Sequence, residues 1–294
     1  MIEYVEAKSI LSRNKNNYWF GANYTMNLYR GCHHGCIYCD SRSDVYQIDN
    51  FDKVRVKKDA LIILEDELKR KRVKGVIAMG AMSDPYNRLE VETQLTRQSL
   101  ELINKYGFGV AIATKSDLVL RDIDILQKIS VHSPVIVKIT ITCARDEHAK
   151  VIEPNVSLSS KRFEAIKKLN EANIYSGILL MPILPNITDS KENILGILDK
   201  ANEANAKFII FAPGMTQRSG QRAYYLNALS DINPKFSIMH QNMFGNQYNC
   251  SIPNAKEISG LIKSKAKEYN ITYSMKEVIK EYQEKYTYKQ LSLF

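Results

Sequence analysis

The sequence predicts an α/β protein in which strands and helices alternate. Short runs of β-branched and apolar residues recur along the chain, and such runs are typical of buried parallel strands. Between them lie segments with apolar residues at helical spacing, and one strand with its helix takes up roughly 30 residues. Units of this kind connect right-handedly into a parallel sheet or barrel. We therefore predict a partial (β/α)6 TIM-like barrel with a helical C-terminal extension.

The first strand is predicted near residues 23–28, ahead of five better-defined runs. These five cover residues 76–82, 109–115, 135–143, 174–182 and 206–213. In the first intervening segment, Leu61, Leu64 and Leu68 have the spacing of one helix face, and in the second Leu95, Leu102 and Ile103 do. Each segment is therefore predicted to be a helix. Further helices are predicted near residues 121–130, 159–172 and 189–204.

The pattern changes after about residue 231, where two predicted helices, 256–269 and 276–285, follow each other without a strand between them. We interpret this part as a cap or lid and not as a seventh strand–helix unit. The chain is therefore divided into a core barrel, residues 1–230, and a C-terminal helical cap and tail, residues 231–294.

The composition is that of an ordinary globular protein. Of the 294 residues, 45% are hydrophobic and 25% are charged, which excludes wholesale disorder, coiled coils and collagen-like repeats. The longest apolar stretches, such as residues 174–185, fall short of the roughly 18 residues that a membrane helix needs. Residues 1–6 carry neither a basic leader nor an apolar run, so we expect a cytoplasmic protein without a signal peptide or a membrane segment.

Three of the five cysteines, Cys32, Cys36 and Cys39, lie close together after the first predicted strand. An odd number of cysteines without secretion argues against a disulfide framework. Thiolates at CxxxCxxC spacing can surround a metal centre, and a zinc ion would take His33 or His34 as its fourth ligand. An iron-sulfur cluster held by three thiolates instead leaves one iron open. The aromatic residue before the last cysteine and the position in a loop after a strand favour the cluster.

The CxxxCxYC pattern in this position resembles the radical S-adenosylmethionine (SAM) superfamily. The resemblance implies that Cys32, Cys36 and Cys39 hold a [4Fe-4S] cluster whose open iron chelates the methionine part of SAM. The resemblance further implies that one electron, which an external donor supplies, cleaves SAM to a 5′-deoxyadenosyl radical. Tyr38 matches the aromatic residue that packs near the adenine in this superfamily.

The resemblance extends over nearly the whole chain to the spore photoproduct lyase family and its uncharacterised relatives. It implies further cofactor contacts: Ser83 and Asp84 at the methionine end and the ribose, Lys115 at the carboxylate, Thr140 near the ribose and Met181 at the adenine. Glu153 and Arg162 match residues that we interpret as structural support. Each match has a structural alternative, namely a turn, a solvated lysine or a core residue. Their joint occurrence at successive strand ends favours the functional interpretation.

Two departures from the family concern the chemistry. Spore photoproduct lyase completes its reaction with a hydrogen atom from a cysteine just before the Ser-Asp pair, and this chain has Met82 there. Cys143 and Cys250 are the candidate hydrogen donors, although a cysteine on a buried strand is usually a small hydrophobe. Residues 40–42 read Asp-Ser-Arg where many relatives have Tyr-Ala-Arg.

Several features suit a nucleic-acid partner. The net charge of +9 favours polyanions, and residues 69–72 form a basic run, although a solvated helix end would explain that run equally well. Residues 218–225 mix arginine with tyrosine, which suits phosphate contact and base stacking. The chain ends in a segment that resembles the pentapeptide by which bacterial DNA repair proteins dock on the β sliding clamp, Gln290, Leu291, Ser292, Leu293 and Phe294.

We therefore predict a lyase-like radical SAM enzyme that repairs damaged DNA. One alternative is the same radical chemistry on a peptide, an RNA or a small molecule. A second alternative is a zinc-binding nucleic-acid module without catalysis.

Overall fold

The computed structural model describes residues 2–287. The strands are β1 (Tyr4–Val5), β2 (Leu11–Arg13), β3 (Tyr24–Met26), β4 (Tyr29–Arg30), β5 (Arg55–Lys57), β6 (Val76–Met79), β7 (Gly109–Thr114), β8 (Val135–Thr140), β9 (Tyr175–Leu180), β10 (Ile209–Phe211), β11 (Gly214–Thr216) and β12 (Asn249–Ser251). The helices are α1 (Ala60–Arg70), α2 (Glu90–Thr93), α3 (Leu95–Lys105), α4 (Ile123–Ser130), α5 (Asp146–Ile152), α6 (Ser159–Glu171), α7 (Lys191–Glu203), α8 (Gln221–Ile232), α9 (Pro234–Phe244), α10 (Ala255–Glu268) and α11 (Met275–Thr287).

Seven strands form the main sheet, in the order β10-β9-β8-β7-β6-β3-β2. In this sheet the neighbouring strands among β3, β6, β7, β8, β9 and β10 pair in parallel, and β2 pairs antiparallel with β3 at one edge. In this order β2 and β10 are the two edges of the sheet, so the barrel is partial. The predicted fold class, with six parallel strands and helices between them, is confirmed.

The strands are apolar on both faces because both faces are covered. Alternate side chains such as Ile77, Val110 and Val137 pack outward in one core together with the surrounding helices. The side chains between them, such as Ala111 and Ile136, point inward to a second core. Burial on both sides explains why the strands appear in the sequence as continuous apolar runs.

Helices α10 and α11 lie at different places on the barrel. Helix α10 packs against α7, and after it Thr272 forms a parallel bridge with Phe208, next to the edge strand β10. Helix α11 contributes Val278 and Tyr282 to the inner core, where they pack with Phe20 near the starts of the strands. It therefore fills the end of the barrel opposite to the carboxyl ends of the strands. The division of the chain at residue 230 stays a prediction.

The structure contains elements that the sequence pattern did not predict. These are the short strands β1, β2, β4, β5, β11 and β12 and the helices α2, α5, α8 and α9. Strands β11 and β12 pair antiparallel as a separate two-stranded ribbon. None of the helices in the part of the chain described here has the length and apolarity that crossing a membrane requires.

Candidate active site

Two adjoining cavities open where the parallel strands end. The larger has a volume of about 580 Å³ and the smaller a volume of about 100 Å³. Both are lined by Cys36, Cys39, Ala81 and Lys115, so they form one site. Ligands of parallel barrels bind at the carboxyl ends of the strands, and this is therefore the candidate active site.

The three clustered cysteines lie on a loop that follows β4 and surrounds the smaller cavity. Cys32, Cys36 and Cys39 all line this cavity. The loop is fixed where the Cys32 amide donates a hydrogen bond of 2.8 Å to the Phe51 carbonyl. Gly31 has a φ of +83°, and a Cβ there would lie only 2.6 Å from that carbonyl oxygen, so the turn requires glycine. The fold thus brings the predicted ligand set to one place.

The smaller cavity has space for a cluster beside the three thiols. Among residues 2–287, no three His, Cys, Asp or Glu side chains are arranged to hold one metal ion. His34 also lines the cavity, but its Nδ1 faces a carboxylate oxygen of Asp84 at 3.5 Å. Gly35, Gly80 and Ala81 form other walls and leave space beside the thiols. Three thiols around a small cavity fit a [4Fe-4S] cluster with one open iron.

Burial raises the pKa of two of these thiols, Cys32 and Cys36. It raises the pKa of Cys36 well above the ordinary range for a thiol. Burial, followed by the nearby carboxylate of Asp84, raises the pKa of Cys32 to about 11. Metal ligands are thiolates, so binding of a cluster must release these protons.

The Ser-Asp pair predicted to contact the cofactor follows β6 and lines the smaller cavity. Asp84 accepts hydrogen bonds from the Thr114 hydroxyl at 2.7 Å, the Lys115 amide at 2.8 Å and the Tyr86 amide at 2.9 Å. The Ser83 hydroxyl donates to the Gly31 carbonyl at 2.5 Å. The carboxylate therefore ties the loop after β6 to the end of β7, and it holds the adjoining cavity walls together.

Tyr38 is held by a buried ion pair. Its hydroxyl donates to Glu153, and Arg162 Nη2 donates to the other oxygen of that carboxylate at 2.7 Å. Both side chains of the ion pair are 0% exposed. Burial alone would raise the pKa of Glu153, but the charges of Arg162 and Lys115 lower it below its ordinary value. The predicted supporting pair thus fixes the aromatic residue that lies between two clustered cysteines.

The remaining predicted cofactor contacts also face the two cavities. Thr140, at the end of β8, lines the smaller cavity, and Met181, just after β9, lines the larger one. Lys115 lines both, and its ammonium lies 5.7 Å from the centre of the Tyr38 ring. All six predicted cofactor residues are therefore brought together at the mouth of the barrel.

The two candidate hydrogen donors differ in position. Cys250 lines the larger cavity, whereas Cys143 lines neither cavity; both side chains are buried. Cys250 lies in β12, a strand that the sequence pattern did not predict, and pairs with Met215 of β11. Its strand is only three residues long and its partner strand is remote, so no local period indicated it. Burial raises the pKa of Cys250, which keeps the thiol protonated.

Sequence reasoning missed the polar residues that border the larger cavity. Thr216, Asn249 and Ser251 come from the β11–β12 ribbon. Asp40 follows the last clustered cysteine and also lines this cavity. Residues 40–42 differ from the family pattern, and this difference is the sequence feature that could have indicated a role for Asp40.

The basic run at residues 69–72 lies at the other end of the barrel. It spans the end of α1 and precedes β6, whose amino end is opposite to the mouth. Lys69 and Arg70 pair with Glu65 and Asp66 one turn earlier on the helix. This position favours a solvated helix end over a contact with a substrate in the cavities.

The candidate clamp-binding segment, Gln290 to Phe294, lies outside the described residues.

Comparison with known proteins identifies a family and several relatives. A model of the radical SAM superfamily matches residues 26–214. An uncharacterised protein of Methanocaldococcus jannaschii is 38% identical over 180 residues, which cover 60% of this chain and 66% of that relative.

Two solved structures of spore photoproduct lyase resemble the fold. A point mutant gives a TM-score of 0.68 at 14% identity and covers 92% of this chain and 80% of that one. A double mutant with bound AdoMet and dinucleoside spore photoproduct gives a TM-score of 0.64 at 14% identity and covers 92% of this chain and 81% of that one. The family model spans more than half of the chain and includes all three clustered cysteines. The chain belongs to the radical SAM superfamily.

Proposed function

We propose that this protein is a cytoplasmic, lyase-like radical SAM enzyme that repairs a lesion in DNA. The observation that carries the proposal is one continuous site in which three thiols surround a small cavity that opens into a cavity of about 580 Å³. A volume of this size holds a small organic ligand. The proposal needs an external one-electron donor to reduce the cluster.

The residues of the chain have separate roles in this proposal. When bound, the reduced cluster supplies the electron that cleaves SAM to a 5′-deoxyadenosyl radical. The Lys115 ammonium can bind the carboxylate of the cofactor. The Ser83 hydroxyl already donates to the Gly31 carbonyl, and its oxygen can still accept a hydrogen bond from the ammonium group of the cofactor. Tyr38 and Met181 provide apolar surface for the adenine, and Thr140 offers a hydroxyl near the ribose.

Asp84 acts as a positioning residue in this arrangement. Its two carboxylate oxygens already accept three hydrogen bonds from the protein, so they hold Lys115 and Thr114 in place. This role differs from the direct ribose contact that the family resemblance implies.

We assign the final hydrogen donation to Cys250. It lines the larger cavity beside the clustered cysteines, and its thiol is kept protonated by burial. The S–H bond breaks as a C–H bond forms on the substrate radical, and a thiyl radical remains on Cys250. One electron from the external donor and one proton then restore the thiol.

Two observations support DNA as the substrate. The chain carries a net charge of +9, which favours polyanions by counterion release. Spore photoproduct lyase, which shares the fold, has been solved with bound AdoMet and dinucleoside spore photoproduct. The substrate nucleotide would be extruded into the mouth of the barrel.

The experiment is an anaerobic assay of the reconstituted protein with SAM, dithionite and dinucleoside spore photoproduct. We expect conversion of the substrate, together with 5′-deoxyadenosine. In D2O the product should carry deuterium, because a thiol exchanges its proton with solvent. Cys250→Ala should form 5′-deoxyadenosine but lose conversion and deuterium, while Cys143→Ala should behave as the wild type.

The outcomes separate the parts of the proposal. Cleavage of SAM without conversion of the dinucleoside would reject this lesion and direct the search to peptide, RNA or small-molecule substrates. Product without deuterium, or full conversion by Cys250→Ala, would reject Cys250 as the donor.

A link to DNA replication or repair has a separate test. A fluorescent peptide that ends in Gln290 to Phe294 is expected to bind the β sliding clamp, because its apolar side chains fill pockets as an extended anchor. A peptide with Gln290→Ala and Phe294→Ala is the matched control and should not bind. The absence of saturable binding at micromolar clamp concentrations would reject the motif.

A further inference from the structure

Two tyrosines and one arginine meet beside the larger cavity. The Arg218 guanidinium lies 5.7 Å from the centre of the Tyr46 ring and 5.8 Å from that of Tyr248. Its Nη1 donates to the Tyr46 hydroxyl at 3.4 Å, and its Nη2 donates to the Tyr248 hydroxyl at 3.2 Å. We call these three residues the rim platform.

The rim platform is built onto the cavity wall. Arg218 follows Thr216 by two residues and Tyr248 directly precedes Asn249, and both Thr216 and Asn249 line the cavity. On the other side, Arg218 Nε faces Asp40, a further lining residue, at 3.4 Å.

Two contacts hold the loop of Arg218 against the segment of Tyr46. The Ser219 hydroxyl donates to the Asp44 carboxylate at 2.6 Å, and the Asp44 amide donates to the Ser219 carbonyl at 3.1 Å. The loop that carries the clustered cysteines and the ribbon that carries Cys250 therefore meet at the rim platform.

The groups of the rim platform are available to a ligand. The Arg218 side chain is 28% exposed, and Tyr248 is 48% exposed. The three hydrogen-bond and ion-pair contacts of the guanidinium are long, between 3.2 and 3.4 Å, so a phosphate can compete for its donors. An exposed tyrosine ring offers a surface on which a base can stack.

We propose that the rim platform binds the nucleotide next to the one in the cavity, with Arg218 on its phosphate and Tyr248 stacked on its base. This inference rests on the proposed action on nucleic acid and names the residues that contact it. It assigns the nucleic-acid surface to the mouth of the barrel and not to the basic run at residues 69–72.

The test is fluorescence anisotropy of fluorescein-labelled (dT)12 with the reconstituted protein. Tyr248→Ala should raise the dissociation constant by roughly tenfold, since stacking on an aromatic side chain contributes that much or more. Tyr248→Phe keeps the ring and should bind as the wild type does. Arg218→Gln should weaken binding and reduce the slope of log K against log salt by about 1.

Arg70→Gln is the matched control, because Arg70 is a 78% exposed arginine of the basic run. It should leave the dissociation constant unchanged. If the wild type binds (dT)12, and Arg70→Gln weakens this binding while Arg218→Gln does not, the rim platform is overturned. A nucleic-acid substrate is then still supported. Equal weakening by Tyr248→Phe and Tyr248→Ala would overturn the stacking role. If the wild type does not bind (dT)12 but converts dinucleoside spore photoproduct, the rim platform is overturned and the proposed DNA substrate stands. If it does neither, both are overturned.

Discussion

Cys36→Ala is expected to lose the iron-sulfur cluster and, with it, the cleavage of SAM. Cys36 lines both cavities and stands between the other two thiols in the loop, so its removal opens the centre of the ligand set. The loss in 5′-deoxyadenosine formation should exceed about 100-fold, because changes to groups that only support metal ligands already cost up to that much. Anaerobic reconstitution, iron and sulfide analysis and a dithionite-dependent assay for 5′-deoxyadenosine measure the effect.

Cys143→Ala is the control for this variant. Cys143 is also a buried cysteine and packs in the same apolar cluster as Cys36, but it lines neither cavity. It should keep iron, sulfide and SAM cleavage. A wild-type protein that binds zinc tightly, without iron and without cleavage, would contradict the radical mechanism and favour the zinc-binding module.

The main sheet could be predicted because its strands are buried on both faces. Such strands leave continuous apolar runs in the sequence, and β7 and β8 were found within a few residues of their bounds. The predicted ends of other strands are less accurate, because apolar residues continue past the last residue of the strand. The predicted strand 76–82 ends at Met79, since Gly80 has a φ of +91° and a Cβ there would collide with the Ala113 carbonyl.

The cluster loop could also be predicted because its three cysteines are close in the sequence. The other walls of the larger cavity could not be predicted, because they come from segments that are distant in the sequence. Met215 and Cys250 meet only through the β11–β12 ribbon, and strands of three residues have no detectable period. In the rim platform, Tyr46 is 172 residues from Arg218. Residues that are this far apart in the chain show no regular spacing, so their contact cannot be predicted from a single sequence.

Lys138→Met is expected to stabilise the protein by roughly 2–5 kcal/mol at neutral pH. Lys138 points into the inner core from β8, is 2% exposed, and its ammonium lies 4.5 Å from the centre of the Phe20 ring. Burial lowers its pKa to about 7. A methionine of similar length would fill the same space without a charge, and the inner core around it is apolar. Urea unfolding of the cluster-free protein measures the difference.

The lowered pKa of Lys138 also determines how the stability difference between Lys138→Met and the wild type changes with pH. The pKa of Lys138 is lower in the folded chain than in the unfolded chain, where a lysine has its ordinary pKa of about 10.4. Between about pH 7 and pH 10 the unfolded chain holds a proton that the folded chain lacks, so this group makes the wild type more stable as the pH rises. The advantage of Lys138→Met should therefore be largest at pH 7 and below and should shrink towards pH 10. Lys128→Met, on the exposed face of α4, should show no such trend. An advantage that stays constant from pH 7 to pH 10 would mean that Lys138 keeps its charge in the core.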